Sequence, residues 1–292
     1  MSLAGQSSGP HAFRRVARRV VGQATSDGAG VRLSRVIGAA TLESLDPFLL
    51  LDEFGSDRPD DYIAGFPDHP HRGMETVTYM LAGRMRHADN AGHSGVIGPG
   101  DVQWMSAARG IVHSEMPEQS EGLMRGFQLW VNLPAAHKMG PPRYQEYAAA
   151  ALPHLALPAG GRVTAIAGTA TSADGRTISG PVGEIAVRPL YLDISLAGGD
   201  IFHQPVEAGH AAFAYVFEGA VTFADDEPVV EAGTLAVLDG HGGVQMSSAN
   251  GGRCLLIAGR PLGEPVARYG PFVMNTADEI RQAFADYQAG RF

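Results

Sequence analysis

The feature that most constrains this chain is a succession of short strand-like segments separated by glycine turns, with no helical period between the strands of its first half. Glu75–Leu81 is rich in β-branched and aromatic residues and stops at Gly83. Gly98, Pro99 and Gly100 mark the next turn, and Asp101–Ala107 resumes extended structure. Leu123–Leu133 alternates as a strand does. Strand-like text returns at Val163–Ala167, Leu190–Leu196, Ala212–Phe217, Val221–Phe223, Thr234–Leu238 and Arg253–Ile257. The 38 glycines and 19 prolines of the 292 residues supply the turns. This spacing predicts an all-β chain built as antiparallel sandwiches or barrels.

Two segments recur. Thr76–Gly83 (TVTYMLAG) is echoed 136 residues later by Ala212–Gly219 (AFAYVFEG). Val96–Met105 (VIGPGDVQWM) is echoed 133 residues later by Val229–Leu238 (VVEAGTLAVL). The similar offsets predict a duplicated β domain. The first barrel is expected over about Ala12–Leu133 and the second over about Val163–Pro261. A Pro- and Ala-rich connector, 134–162, carries a helix-compatible run near Tyr144–Leu152. The tail, 262–292, reads differently. Thr276 followed by Glu279 is a capping-box pattern, and Ile280, Ala283, Phe284 and Tyr287 share one helical face. Gly290 can close that helix, which is expected to dock on a sheet. At the other end, Arg14, Arg15, Arg18 and Arg19 read as solvated arginines on a first strand. That strand resumes after a turn at Gly28–Gly30 as Val31–Ile37.

Composition sets outer bounds. A formal charge of -9 removes any global basic footprint for nucleic acid. The lone cysteine, Cys254, excludes an internal disulfide and a thiolate metal cluster, so the cytoplasm is the expected compartment. Set in the apolar run RCLLIAG, Cys254 is expected to be buried and inert. No apolar run approaches the roughly 20 residues of a membrane span. The opening MSLAGQSSGP lacks the apolar core of a signal peptide.

The chemistry is concentrated in two short motifs. In His69-Pro70-His71 the histidines are two apart, so on a strand both imidazoles face the same side. Pro70 places that segment at a strand start or an edge. His113-Ser114-Glu115 repeats the arrangement with a nitrogen ligand and a carboxylate. If the two strands are neighbours, three imidazoles and one carboxylate meet. Such a set suits one divalent first-row metal ion, and the absence of sulfur argues against a structural zinc site.

The pattern from Gly65 through His69, His71 and Glu75 to Gly83 resembles the first cupin motif, whose home is a double-stranded β-helix barrel. The wider text is more specific. FPDHPHRGMETVTYMLAG, GHSGVIGPGDVQWM and ARGIVHSEMP resemble the pirin family, a branch of the bicupins. The likeness extends from LESLDPFLLLDEF to IAGRPLGEPV and GPFVMNT, and so covers most of the chain. It implies two tandem cupin barrels with a C-terminal helix. It implies metal ligands at His69, His71, His113 and Glu115, usually for Fe2+, with Mn, Ni, Cu or Zn as alternatives. It also moves Glu75 out of the ligand set, either to orient a ligand histidine or to close a surface ion pair. Glu115 and Glu75 are the candidate catalytic bases.

In the second half, the positions corresponding to His69, His71 and Glu75 fall on Pro205, Glu207 and Ala211. No metal is expected there, and His203 and His210 read as structural or surface histidines. Phe54, Gln103, Trp104, Met105 and Gln128 are read as pocket wall or plain core, and His87 and His93 as surface. The resemblance leaves the activity open. One reading is a flavonol (quercetin) dioxygenase, acting on a flat aromatic or enediol substrate with dioxygen. Another is a non-enzymatic, redox-switched regulator that binds a protein partner. A third is a different oxygenase or isomerase. Direct nucleic-acid binding and membrane association are not expected.

Overall fold

In the computed structural model, residues 13–225 and 227–292 are described. The opening MSLAGQSSGP and the expected first barrel residue, Ala12, lie outside them. The chain forms two compact units, each assembled from separated segments. One comprises 21–152, Pro181–Arg188 and Arg260–Phe292. The other comprises 13–20, Pro153–Gly180 and Pro189–Gly259.

The strands of the first unit are β2 (Gln23–Asp27), β3 (Val31–Ile37), β4 (Phe48–Ser56), β5 (Phe66–His71), β6 (Met74–Ala82) and β7 (Met85–Asp89). They continue with β8 (Ser94–Ile97), β9 (Val102–Ser106), β10 (Ile111–Pro117), β11 (Met124–Asn132) and β12 (Arg143–Tyr147). β1 (Arg15–Val21) belongs almost wholly to the other unit. A seven-stranded sheet runs β12-β9-β6-β11-β4-β3-β2, and a four-stranded sheet runs β5-β10-β7-β8. β6 lies inside the larger sheet and is buried along most of its length, its polar residues Glu75, Thr76 and Thr78 included. Val77, Tyr79 and Trp104 pack on one of its faces, while Thr76 and Thr78 point to the other.

The second unit carries β13 (His154–Ala156), β14 (Arg162–Ala167), β15 (Thr169–Thr171), β16 (Thr177–Ser179), β17 (Leu190–Leu196), β18 (Ile201–Gln204) and β19 (Ala211–Phe223). It ends with β20 (Val230–Glu231), β21 (Thr234–Asp239), β22 (Val244–Ser247) and β23 (Gly252–Gly259). Its main path is β1-β21-β19-β23-β17-β14-β13. Phe202, Phe223, Val244, Met246 and Leu192 fill a buried apolar cluster there. Cys254 is fully buried in that cluster, and burial pushes its thiol above the ordinary range.

The duplicated segments occupy equivalent places. In the first unit Thr76 pairs with Met105 and Tyr79 with Val102. In the second, Ala212 pairs with Leu238 and Tyr215 with Leu235. The turns match as well. The Gly100 amide donates to Met80 at 2.8 Å, and the Gly233 amide donates to Val216 at 2.8 Å. Both glycines sit at φ near +80° (83° and 81°), where a Cβ is strained.

The tail behaves as its sequence predicts. β24 (Ala267–Tyr269) and β25 (Phe272–Met274) form a hairpin, followed by helix α1 (Ala277–Gln288). The Thr276 hydroxyl accepts from the Glu279 amide at 3.2 Å, and Glu279 accepts from the Thr276 amide at 2.8 Å. Ala283 is buried, and Phe284 meets Phe272 edge to face at 4.8 Å. α1 is the single α-helix of the described residues, and no helix is long and apolar enough to cross a membrane.

Two local expectations are corrected. Arg143–Tyr147 is a strand rather than a helix start. It completes the open edge of β9, with Tyr144 opposite Met105, and a short isolated helix has no such gain. Only one 3-10 turn, Ala149–Ala151, remains of the helical run. Arg14 is buried rather than solvated, and its guanidinium donates to the carbonyl of His210 at 2.9 Å.

Candidate metal centre

Antiparallel pairing of β5 and β10 brings the two motifs together. His113 lies opposite His69, and Ile111 lies opposite His71. Directly opposed residues share a face, so His69, His71 and His113 converge. Their ring centroids are 4.8, 4.5 and 5.1 Å apart, and their ligand nitrogens lie within 4.8 Å of one another. A register shift between His113 and Glu115, two residues on β10 against three on β5, marks a bulge in β5 and sets Glu115 opposite Phe66.

Each imidazole is prepared differently. The His69 Nδ1 lies 2.8 Å from the Pro67 carbonyl, which can only accept, so Nδ1 carries the proton and Nε2 keeps its lone pair. His71 is buried, and its pKa falls well below the ordinary value. Burial is the main cause, the neighbouring His113 and His69 add to it, and a Pro271 carbonyl opposes it. His113 falls to about 4, again chiefly through burial, against the opposing pull of Glu115. At neutral pH both rings are therefore uncharged. The His71 Nδ1 and both His113 nitrogens are buried without a hydrogen-bond partner. Orphaned buried imidazole nitrogens are costly unless something else binds them. The three rings fit a metal ion on that ground, since imidazole nitrogen is a common ligand of divalent first-row metals.

Glu115 is buried and held from the opposite sheet. The Thr78 hydroxyl donates to Oε1 at 2.8 Å, and the Gln128 amide donates to Oε2 at 3.0 Å. Thr78 Oγ1 also lies 3.0 Å from Gln128 Oε1, which joins the two residues that hold Glu115. Each carboxylate oxygen retains a free lone pair. Glu115 is not within the cluster of three ligand nitrogens, but it lines the same cavity as His69 and His71.

That cavity has a volume of about 560 Å³. Phe54, Phe66, Met85, Leu33, Leu50 and Trp130 form its apolar walls, and Asp27, Arg35, Asp52, Asp68 and Arg268 its polar rim. Phe54 and Gln128 are therefore pocket residues. Trp104 and Met105 are core, and Gln103 is buried beside Glu146 at 2.9 Å.

Glu75 is placed elsewhere. It is three residues before Thr78 on β6 and so projects from the opposite face of the strand. It lies opposite Ser106 and accepts from the Trp104 indole at 3.1 Å. At 2 % exposure it is no surface ion-pair residue, and it does not line the cavity. Burial raises its pKa to about 7, opposed by Trp104, Arg143 and Ser106. The expectation of a catalytic base at Glu75 is corrected by strand parity. His87 is also corrected. It is 6 % exposed, because it sits opposite Glu115 on β7 and faces inward with it. His93 is exposed beside Asp89, at 2.9 Å. In the other unit, His203 meets Gln245 at 3.1 Å, and His210 lies 3.4 Å from Glu207.

The sequence reading missed Thr78, Trp130, Arg35 and Arg268. Thr78 shares a strand with Glu75 at odd spacing, which parity alone could have flagged. Arg268 had no local signal.

Comparison with known proteins agrees with this geometry. The pirin family profile matches residues 30–131, and the pirin C-terminal cupin domain profile matches 191–292. A pirin-like protein of Caulobacter vibrioides is 52% identical over 279 residues, covering 96% of this chain and 99% of its own. Human pirin is 42% identical over 280 residues, covering 94% and 92%. The crystal structure of quercetin 2,3-dioxygenase from Acinetobacter baumannii superposes with a TM-score of 0.87 at 34% identity, covering 96% and 99%. The strand order, the histidine cluster and these matches together make the chain a member of the pirin family, a two-domain branch of the cupin superfamily.

Proposed function

We propose that this protein is a metal-dependent dioxygenase of a flat, flavonol-like chelating substrate such as quercetin. His69, His71, His113 and Glu115 would hold one divalent ion, with Fe2+ as the working metal. The observation that carries the reading is a cluster of three imidazoles, two of them with buried unpartnered nitrogens, beside an aromatic-walled cavity. The likeness to a quercetin dioxygenase supports the substrate class.

A bound iron ion would supply Lewis acidity and electron transfer between a chelated substrate and dioxygen. The chain does the rest. Phe54, Phe66 and Trp130 offer flat apolar surface for an aromatic ring and exclude water from it. Pro67 fixes the tautomer of His69. Glu115, steadied by Thr78 and Gln128, would accept the proton of the substrate hydroxyl, being the one carboxylate of the two motifs on the cavity side.

Oxygen uptake with quercetin by iron-reconstituted protein tests the proposal, with His113→Ala as control. Uptake that requires both the metal and His113 is expected. No uptake with quercetin or related enediols would remove the dioxygenase reading.

A further inference from the structure

The rim of the cavity carries two cations in very different states. Arg35 is saturated. It donates to both oxygens of Asp52, at 2.9 and 2.7 Å, and to Asp27 at 2.7 Å. Arg268, on β24, has no carboxylate within ion-pair distance among the described residues. Its contacts are the Leu49 carbonyl at 3.1 Å and the face of Trp130, with the guanidinium carbon 4.8 Å from the ring centroid. Asp52 and Asp27 attract it only from farther away, and both are engaged by Arg35. A guanidinium has five N–H donors, and the Leu49 bond uses one.

Trp130 ties this cation to the metal centre. Its indole lies edge-on to the His71 ring, with centroids 5.2 Å apart. The cavity wall therefore runs from a candidate ligand, across a flat aromatic surface, to an unpaired guanidinium at the rim. A molecule chelated at the histidine end and lying along Trp130 presents its far end to Arg268.

We propose that Arg268 is an anion-recognition residue, and that the substrate is a flat aromatic chelator bearing an anionic oxygen at the end remote from its metal-binding oxygens. The anionic oxygen is a carboxylate or an ionised phenol. The inference rests on the chelating-substrate reading above and adds a specificity determinant to it. A planar fork on a planar carboxylate, over an aromatic face, is the arrangement for which arginine and lysine are not interchangeable.

The test uses two matched pairs of probes with full-length protein. Caffeate is compared with its methyl ester, and quercetin with its 7-O-methyl ether. Binding is followed by quenching of tryptophan fluorescence, which Trp130 reports from the cavity wall while Trp104 stays buried. Titrations are run on metal-free and zinc-loaded protein, zinc being redox-inert. Wild type should favour the charged member of at least one pair by about tenfold, the size expected for one charge-assisted contact. Arg268→Gln should abolish that preference, and Arg268→Lys should keep part of it. A preference in the first pair assigns the group as a carboxylate, and one in the second assigns an ionised phenol. No preference in either pair, or a preference that survives in Arg268→Gln, overturns the inference. Failure of the metal reading would look different: zinc would then leave all affinities unchanged, whatever Arg268 does.

Discussion

Glu75→Gln separates a buried structural carboxyl from a catalytic one. An ordinary glutamate ionises near 4.5, whereas burial moves Glu75 to about 7 in the fold. The folded state therefore holds this proton more tightly than the unfolded state does. The stability it contributes is complete below pH 4.5 and is lost as pH rises through about 7. The separation of the two values is worth about 3 kcal/mol. Glutamine has nearly the same shape and cannot ionise, and its carbonyl can still accept from the Trp104 indole. The stability of Glu75→Gln minus that of wild type should therefore rise by about 3 kcal/mol between pH 4.5 and pH 8. Groups that titrate in both proteins cancel in the difference. Urea unfolding at several pH values measures it. Curves that stay parallel across this range would refute the argument. Metal content should be unchanged in the variant, because Glu75 projects away from the histidines. Loss of the metal would return Glu75 to the site.

Lys138 is 1 % exposed and donates to the carbonyls of Gly73 and Val273, at 2.6 and 2.9 Å, and to the Asn132 side chain at 2.6 Å. Lys138→Met strands three buried acceptors and should cost about 3–5 kcal/mol in denaturant unfolding; a loss under about 1 kcal/mol would contradict this. Gly73, two residues after His71, has a φ of +82°, and a Cβ there would stand 1.9 Å from the Val273 carbonyl oxygen. Gly73→Ala should therefore lower the melting temperature sharply and weaken metal binding, whereas wild-type behaviour in both would show that the β25 contact is dispensable.

Much of the site was legible because it obeys strand parity. His69 with His71, and His113 with Glu115, lie two apart, and β5–β10 pairing then completes the cluster. The duplicated segments were readable for the same reason, since each pair carries the same turn glycine and the same register. Contacts between residues distant in sequence were not legible. Thr78 and Gln128 reach Glu115 from another sheet, and Arg268 reaches Trp130 from the tail. Nothing local in the sequence signals either pairing. His87 was misplaced because HADN reads as a loop, although His87 and Asp89 alternate on β7 opposite Glu115 and His113. Arg14 was read as solvated because its acceptors, the carbonyls of His210 and Gly242, lie roughly 200 residues away in sequence. Tyr144–Leu152 was misread because an open sheet edge overrides local helix propensity.

The central claim is one metal ion held by the two histidine motifs. Elemental analysis of purified wild type, His69→Ala, His113→Ala and His203→Ala tests it most directly. The account predicts one first-row ion per chain in wild type and in His203→Ala, and close to none in His69→Ala and His113→Ala, with all four folded by circular dichroism. Undiminished metal in His113→Ala, or its loss in His203→Ala, would contradict the account.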